Sequence, residues 1–348
     1  MRTIAAAGAG ADIVSGAELE LALGCGIAPN RIVMSGVAKT DDEIDLAIVR
    51  GIAAIQTESV EEIARIAARA AATKRRARVS LRVNPGIAID THAHVATGHD
   101  EAKFGIARGD LGEALRRIAD ARDSLELVGV STHVGSMLGD VKKYLESAKV
   151  VCEVASMRLS SGDKLDFVDF GGGFAIDYGG TEPARPADFA RGALELLREQ
   201  DLTGLRLVVE PGRALVGAYG VLIARVLQGK RSGERRWAMI DAGMNDLLRP
   251  ALYGARHRIE PLEREPGGAS YRVVGPVCES ADDFGEHPLG EPLPELVAIR
   301  DAGAYGFTMA SNYNGRALPA EVFAAQGRVV GTSTGPGAET WVSARLGA

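Results

Sequence analysis

Three polar motifs in the first part of the chain each follow directly after a short apolar run. They are His133-Val134-Gly135-Ser136, Asp169-Phe170-Gly171-Gly172-Gly173 and Glu210-Pro211-Gly212-Arg213. Consecutive glycines let backbone N–H groups approach an oxyanion closely, and a following helix would add its positive end. An isolated run of three glycines is more often a tight turn. With a carboxylate predicted at the same edge of the fold, a phosphate group is the better prediction.

Glu210 and His133 complete the predicted site. A carboxylate beside a pyridine nitrogen keeps that nitrogen protonated, which is what makes pyridoxal phosphate an electron sink. The flat imidazole of His133 could stack on the same ring. A single histidine at a strand end is more often a structural residue. Three such signals on three successive strands nevertheless favour an aromatic cofactor that carries a phosphate.

The motifs end three of seven short apolar strands that alternate with helical segments such as Asp41–Arg50, Val60–Thr73 and Pro186–Glu199. The predicted strands are Ala11–Ser15, Arg31–Gly36, Ala53–Glu58, Arg78–Asn84, Leu127–Ser136, Leu165–Gly173 and Leu205–Arg213. This alternation predicts parallel strands with right-handed crossovers. In barrel enzymes the working residues lie at the C-terminal ends of such strands.

We therefore predict an α/β fold in which residues 1–212 form a (β/α)8 barrel without its first strand. The chain opens with Arg2–Gly8, which resembles the last turns of a helix, and seven strands are one short of closure. The alternative is a doubly wound sheet. It is disfavoured because no G-x-G-x-x-G motif opens a helix after the first strand.

After about Arg213 the strands become longer and alternating, with turns between them and little helix. The predicted strands are Val221–Gln228, Arg236–Asp241, Tyr271–Val277, Glu295–Asp301 and Glu321–Val330. Turn-forming residues lie at Lys230–Glu234 and Pro266–Ser270. Residues 213–348 are therefore predicted to form a C-terminal antiparallel β domain.

Composition excludes several classes of partner. The 348 residues are 46% hydrophobic and carry a net charge of −6 without a basic block, which argues against nucleic acid and anionic membranes. No apolar run is long enough to span a bilayer. The three cysteines are widely spaced, so we predict a soluble, cytoplasmic protein without a disulfide framework. His92, His94 and His99 are interpreted as part of a solvated loop, and no metal site is predicted.

In this order and spacing the three motifs resemble the alanine-racemase-fold decarboxylases, which use pyridoxal phosphate. Further segments narrow the resemblance to the diaminopimelate decarboxylase family, across essentially the whole chain. These segments are Thr97-Gly98, Lys103–Ile106, Asp241–Asp246, Arg249–Gly254, Gly275–Ser280 and Asp301–Gly306. The G-P-V-C-E-S and R-P-A-L-Y stretches discriminate best.

The resemblance implies the decarboxylation of meso-2,6-diaminopimelate to L-lysine and carbon dioxide, the last step of lysine biosynthesis. It implies a cofactor site made of His133, Ser136, Gly171, Gly172, Gly173, Glu210, Pro211, Gly212, Arg213 and Tyr305. The implied substrate-binding residues are Arg213, Arg249, Tyr253, Glu279 and Tyr305. Cys278 would be the catalytic acid. The family places Cys278 and Glu279 in the neighbouring subunit's active site, which implies a homodimer with shared sites.

The chemistry of the substrate agrees with two of these roles. Meso-diaminopimelate carries an amino acid group at each end, so its enzyme must hold a distal carboxylate and a distal ammonium. Arg249 could clamp the carboxylate with a two-pronged contact, and Glu279 could pair with the ammonium. A decarboxylase of lysine or ornithine would have no use for the extra arginine.

The family also carries a Schiff-base lysine at the end of the first barrel strand, in a motif like Y-A-V-K-A-N. That motif does not occur in residues 1–348, and Lys39 and Lys103 match other lysines of the family. We therefore expect that the N-terminal segment with this lysine is lacking and that turnover falls by orders of magnitude. Two alternatives remain open: a non-catalytic cofactor-binding paralogue that regulates a complete decarboxylase, and an inert fragment.

Overall fold

The computed structural model describes residues 1–87, 103–180, 182–335 and 337–347. The predicted loop that contains His92, His94 and His99, and the Thr97-Gly98 segment, lie outside these described residues. The chain divides into two compact units. The first comprises 1–175 and 183–211, and the second comprises 176–182 and 212–348.

The first unit contains a seven-stranded parallel sheet in which neighbouring strands follow chain order. Its strands are β1 (Ala11–Ile13), β2 (Ile32–Met34), β3 (Ala54–Thr57), β4 (Ala77–Arg82), β5 (Leu125–Ser131), β6 (Phe167–Gly172) and β7 (Arg206–Glu210). The predicted (β/α) barrel is confirmed as a nearly closed one, with each of these strands inside a predicted segment or displaced from it by at most two residues. Within the described residues β1 and β7 are the two ends of the sheet.

Helices precede or follow these strands where the local sequence provides start and stop signals. They are α1 (Arg2–Ala6), α2 (Gly16–Gly24), α3 (Asp41–Arg50), α4 (Val60–Ala72), α5 (Leu111–Asp120), α6 (Val141–Ser160) and α7 (Pro186–Glu199). Helix α3 shows the signals clearly. Thr40 and Glu43 form a capping box at its start, and Gly51 ends it in the left-handed conformation at φ 66°.

The interior of the first unit is apolar and aromatic. Strands β2 and β3 are buried along their whole length, as expected for a parallel sheet covered by helices. Near β6, the Tyr144 ring of α6 lies edge-on to Phe189 of α7 at 5.3 Å, and Phe189 stacks on Phe174 at 4.4 Å. Phe174 directly follows the glycines at the end of β6, so this aromatic cluster lies beside them.

The second unit contains a six-stranded sheet in the order β10-β13-β8-β9-β11-β12 and a separate two-stranded sheet, β14-β15. The strands are β8 (Leu222–Ser232), β9 (Arg235–Ile240), β10 (Ile259–Pro261), β11 (Ser270–Val274), β12 (Asp283–Pro288), β13 (Leu296–Ile299), β14 (Glu321–Ala325) and β15 (Arg328–Ser333). Pairing is antiparallel apart from β9 with β11, which is parallel. The predicted antiparallel β domain is confirmed. Helices α8 (Gly212–Val216), α9 (Arg249–Tyr253) and α10 (Ala338–Leu346) belong to the same unit.

One predicted strand of the second unit was wrong. Glu321–Val330 was predicted as a single strand, but the structure divides this segment into the hairpin β14-β15. The turn lies at Gln326 and Gly327, with φ of 50° and 73°. Two adjacent residues at positive φ match the strand twist and reverse the chain tightly. In the described part of the chain, no helix is both long and apolar enough to cross a membrane.

Candidate functional site

The glycine motif brings the ends of three neighbouring strands of the first unit into close contact. A side-chain carbon on Gly172 would lie 1.8 Å from the carbonyl oxygen of Glu210, and one on Gly173 would lie 2.0 Å from that of Gly135. Gly173 also has a φ of 86°. Only glycine fits these positions, because the backbones that follow β5, β6 and β7 meet there.

One of the three glycine N–H groups has a clear acceptor in the protein. Gly171 donates to Asp169 Oδ1 at 2.9 Å, which orients Asp169. The N–H of Gly172 lies 3.3 Å from His133 Nδ1, but that nitrogen donates its hydrogen to Glu210 and cannot also accept. The role of the three glycines as phosphate ligands stays a prediction.

The structure brings together His133 and Glu210, which sequence reasoning assigned to different parts of the cofactor. His133 Nδ1 lies 3.0 Å from Glu210 Oε2. Burial acts to raise the pKa of Glu210, but the His133 hydrogen bond and charge, a hydrogen bond with Asp169 and the charge of Arg82 outweigh it and hold that pKa below its ordinary value. The site therefore presents an ionised carboxylate.

Asp169 has the opposite protonation behaviour. It is 1% exposed, and burial together with the charge of Glu210 raises its pKa well above the ordinary value. Gln56 Nε2 donates to Asp169 Oδ2 at 3.3 Å, while the Ser131 hydroxyl donates to the side-chain oxygen of Gln56, Oε1. This polar chain, which ends at Glu210, links β3, β5, β6 and β7. It keeps one carboxyl group neutral beside one that is ionised.

Asp12 and Gln56 are polar residues that sequence reasoning did not single out. Asp12 lies at an exposed position of the end strand β1 and accepts a hydrogen bond from Ser35 at 2.6 Å. The available signal was the occurrence of a carboxylate or an amide inside an apolar strand, β1 or β3. Gln56 is 2% exposed, and an amide is buried in this way only when other polar groups meet it.

Two further buried ion pairs surround the strand ends. Arg82 donates to Glu58 at 2.7 Å, and Glu58 also accepts the N–H groups of Gly36 and Gly105. Lys39 donates to Glu62 at 3.1 Å and to the carbonyl oxygens of Gly36 and Gln56. Three acceptors take up the whole ammonium group of Lys39. The other lysine considered from the sequence, Lys103, lies over the ring of Phe104.

The second unit brings together the arginines and tyrosines predicted to bind substrate. Arg213, in α8, donates to the Tyr178 hydroxyl at 2.7 Å and lies 4.9 Å from the Tyr305 ring centre. Arg249 begins α9 and lies 4.7 Å from the centre of the Tyr178 ring. Tyr253 ends α9 and is partly buried. Tyr178 was not among the predicted site residues, because the sequence offers only a lone tyrosine after the glycine motif.

Cys278 and Glu279 lie on an exposed loop of the second unit. The backbone N–H of Cys278 donates to Asn314 Oδ1 at 3.1 Å, and the Tyr313 hydroxyl donates to Glu279 Oε1 at 2.5 Å. Asp282 holds the loop from behind by accepting the N–H groups of Val277 and Met244. Ser136 follows β5 and is partly buried, while Pro211 and Gly212 lie between Glu210 and Arg213.

Comparison with known proteins covers most of the chain. A family model described as the pyridoxal binding domain of pyridoxal-dependent decarboxylases matches residues 1–217. The diaminopimelate decarboxylase of Zymomonas mobilis is 39% identical over 326 residues, which are 92% of this chain and 76% of that protein. That of Pseudomonas aeruginosa is 40% identical, over 92% of this chain and 77% of that protein.

Solved structures give the same result. The structure of diaminopimelate decarboxylase from Helicobacter pylori in complex with L-lysine superimposes with a TM-score of 0.90 at 37% identity. The match covers 100% of this chain and 87% of that one. The arginine decarboxylase of Paramecium bursaria Chlorella virus, at 21% identity and a TM-score of 0.78, shares the fold.

Proposed function

Because the chain belongs to the diaminopimelate decarboxylase family of pyridoxal-dependent decarboxylases, we propose that it converts meso-2,6-diaminopimelate to L-lysine. One carboxylate leaves as carbon dioxide, and a proton replaces it on the same carbon. The observation that carries the proposal is the buried guanidinium of Arg249, 4% exposed, whose Nε has no hydrogen-bond partner among the described residues. A desolvated cation of this kind suits a carboxylate at the far end of the substrate.

The residues of the first unit fit pyridoxal phosphate. The chemistry that this cofactor supplies when bound is an electron sink for the pair left by the departing carboxylate. Glu210 is the ionised carboxylate that would hold a proton at the pyridine nitrogen. His133 would orient the ring, and Ser136, Gly171, Gly172 and Gly173 would bind the phosphate end. Pro211, Gly212, Arg213 and Tyr305 complete the proposed set.

In the second unit we assign one role to each end of the substrate. Arg213, Tyr253 and Tyr305 would bind the reacting end, and Arg249 would hold the distal carboxylate. Cys278 would deliver a proton to the carbon that has lost its carboxylate. Glu279 would pair with the distal ammonium, which is a charge pair of the kind that fixes orientation.

The exposed loop of Cys278 and Glu279 supports the proposal of a homodimer. A catalytic thiol and a substrate-binding carboxylate would serve no purpose at the surface of a single chain. In a dimer each would reach the neighbouring copy's site. Mixing Cys278→Ala chains with Arg249→Ala chains should then restore part of the activity that each lacks alone, because one of the two mixed sites would contain neither substitution. Activity that stays absent in the mixture contradicts shared sites.

We also propose that none of residues 1–348 is the family's Schiff-base lysine. The Y-A-V-K-A-N-like motif does not occur among these residues, and the ammonium of Lys39 already has three acceptors. Borohydride reduction of the chain with pyridoxal phosphate, followed by peptide mass analysis, tests this. Cofactor fixed stoichiometrically at Lys39 or Lys103 would overturn the proposal, whereas reversible binding without a fixed site supports it.

The proposed reaction is tested by supplying the chain with pyridoxal phosphate and meso-diaminopimelate and measuring L-lysine by mass spectrometry. We expect L-lysine to form faster than with pyridoxal phosphate alone, although far more slowly than in a family member that carries the Schiff-base lysine. L-ornithine, which has no distal carboxylate, should give no comparable product. Equal rates for the two substrates, or no gain over free cofactor, would contradict the proposal.

A further inference from the structure

Arg249 is held in the second unit by neutral groups. It is almost fully buried, and in the described part of the chain it forms no ion pair with a carboxylate. Its Nη1 lies 2.8 Å from His257 Nε2, and its guanidinium lies over the Tyr178 ring. A buried guanidinium without a carboxylate partner retains its attraction for an anion. Its neighbours nevertheless restrict the direction in which the guanidinium points.

The neighbours of His257 determine which of its nitrogens carries the proton. His257 Nδ1 lies 2.9 Å from the carbonyl oxygen of Arg300, which can only accept. The guanidinium of Arg249 can only donate. Nδ1 must therefore carry the hydrogen, and Nε2 must offer its lone pair to Arg249. Both hydrogen bonds are satisfied only by the neutral imidazole with its proton on Nδ1.

The surroundings of His257 keep it in that neutral form. Its side chain is 2% exposed. Burial, with a contribution from the positive charge of Arg249, lowers the pKa of His257 to about 4, against the opposing effect of its hydrogen bond to Arg300. At neutral pH the imidazole can therefore accept from Arg249 without adding a second positive charge beside it.

Tyr178 joins this cluster to Arg213. Its hydroxyl accepts from Arg213, its ring face is turned to Arg249, and its ring meets the His257 ring edge-on at 5.2 Å and 75°. One tyrosine thus separates and orients two arginines that would otherwise repel each other. The ring supplies a cation–π contact to Arg249, which holds charge without neutralising it.

We infer that His257 is a positioning residue. By accepting a hydrogen bond from Arg249, whose guanidinium lies over the Tyr178 ring, it directs that guanidinium at the distal carboxylate of the substrate. The inference rests on the proposed function and deepens it, because it names what determines the preference for a substrate with two carboxylates. Small errors in the direction of a two-pronged contact are costly. His257 itself touches no substrate atom in this scheme.

A pair of substitutions separates the two nitrogens of His257. His257→Gln places an amide near the position of Nε2 and can still accept from Arg249. His257→Asn places an amide near Nδ1 and can donate to the Arg300 carbonyl, but leaves Arg249 without its acceptor. If His257 only supported the Arg300 backbone, the asparagine variant would be the better tolerated of the two.

The measurement is the dissociation constant of meso-diaminopimelate and of D-lysine, by calorimetry, for the full chain with pyridoxal phosphate. D-lysine is meso-diaminopimelate without the distal carboxylate and is the control ligand, whereas the product L-lysine retains that group. We expect His257→Asn to weaken meso-diaminopimelate on the order of tenfold while D-lysine changes by less than about twofold, and His257→Gln to retain most of the preference. Thermal unfolding of both variants checks that they fold.

The outcomes distinguish a failure of the positioning role of His257 from a failure of the proposed function. If wild-type protein prefers meso-diaminopimelate and Arg249→Ala abolishes the preference while His257→Asn does not, the positioning role is wrong and the proposed function stands. If His257→Asn unfolds, His257→Gln carries the test, and loss of the preference in that folded variant overturns the role. If wild-type protein shows no preference for the ligand with two carboxylates, the proposed function itself fails.

Discussion

Two buried carboxylates of the first unit contact a lysine or an arginine, whereas Arg249 in the second unit contacts a tyrosine ring and a neutral histidine. Glu62 has Lys39, and Glu58 has Arg82. Charges of the first kind are neutralised within the fold and serve to fix geometry. A charge of the second kind is desolvated but not neutralised, so it remains available for a bound anion. The first unit thus keeps these buried carboxylates in preset ion pairs, whereas the second keeps one buried guanidinium without a carboxylate partner among the described residues.

The largest loss of stability should come from breaking one of the buried ion pairs of the first unit. Lys39→Met leaves Glu62 buried without its cation, and we expect the first unit to lose roughly 3–5 kcal/mol of stability at neutral pH. Burial already raises the pKa of Glu62, so the loss should shrink as the pH falls and Glu62 takes up a proton. Urea unfolding followed by amide hydrogen exchange in β2 and β3 measures it.

Arg50→Met provides the matched control for this experiment. Arg50 pairs with Glu20 at 2.7 Å, but the two side chains are 45% and 49% exposed. An exposed pair contributes little, so we expect a change of less than about 1 kcal/mol. Equal losses in the two variants would show that burial of the Lys39 pair does not matter, and the contrast between the units would lose its basis.

The next effect concerns the second unit. Arg249→Ala should weaken the binding of meso-diaminopimelate by roughly 2–5 kcal/mol, because the distal carboxylate loses its buried partner. The affinity for pyridoxal phosphate should hardly change. Calorimetry with each ligand measures both values. Arg256→Ala, at an exposed position of the same unit, is the control. A variant of Arg249 that binds the substrate as wild type does would contradict its assignment.

Much of the fold could be predicted because helix-capping residues and apolar runs with polar ends indicate where the helices and strands begin and end. Helix α3 was predicted at the observed residues, since Thr40 with Glu43 starts it and Gly51 ends it. The seven parallel strands stand out as apolar runs with polar ends. The hairpin β14-β15 was missed because Gln326-Gly327 is a weak turn signal inside an apolar segment. Strand β10 has only three residues and β12 is mostly polar, so their pairing partners define them.

The motifs of the candidate site could be predicted from the sequence, but the hydrogen bonds that connect its residues could not. The sequence identified Glu210, His133 and the glycines, but Gln56 and Asp169 meet across 113 positions of the chain. Similarly, nothing in the sequence indicates that His257 accepts a hydrogen bond from Arg249. Arg249 begins helix α9 and His257 lies in the loop before β10, and no spacing rule predicts a contact between two such positions. Pairings of this kind depend on tertiary packing and follow only from the structure.

A third prediction tests the proton on Asp169. Its pKa in the folded protein is raised, whereas an unfolded aspartate ionises near pH ~4. Between these two pKa values the unfolded chain releases a proton that the folded chain retains, so stability falls as the pH rises through this window. Asp169→Asn has no proton to release. The variant should therefore lose less stability than wild type between about pH 5 and about pH 8.

The comparison is made by urea unfolding at both pH values, with Asp123→Asn as the control at an exposed position. Asp123→Asn should follow the pH dependence of wild type. Should Asp169→Asn follow it as well, Asp169 would be ionised in the folded protein. The first unit would then hold two adjacent negative charges, and the pairing of a neutral Asp169 with an ionised Glu210 would be wrong.

The smallest effect concerns the exposed end of the second unit, where Tyr313 donates to Glu279. This hydrogen bond raises the pKa of Tyr313, because the Glu279 carboxylate accepts from the protonated phenol. Tyr313→Phe removes the bond and frees the Glu279 side chain, so binding a distal ammonium must now order it. We expect roughly threefold weaker binding of meso-diaminopimelate and no change in thermal stability. D-lysine, which lacks the distal carboxylate, also carries that ammonium, so it should weaken by the same factor, whereas Arg249→Ala should leave its affinity nearly unchanged. Tyr219→Phe, at a tyrosine that is 86% exposed, should leave both ligands unaffected. A loss confined to meso-diaminopimelate would contradict the assignment of Glu279 to the distal ammonium.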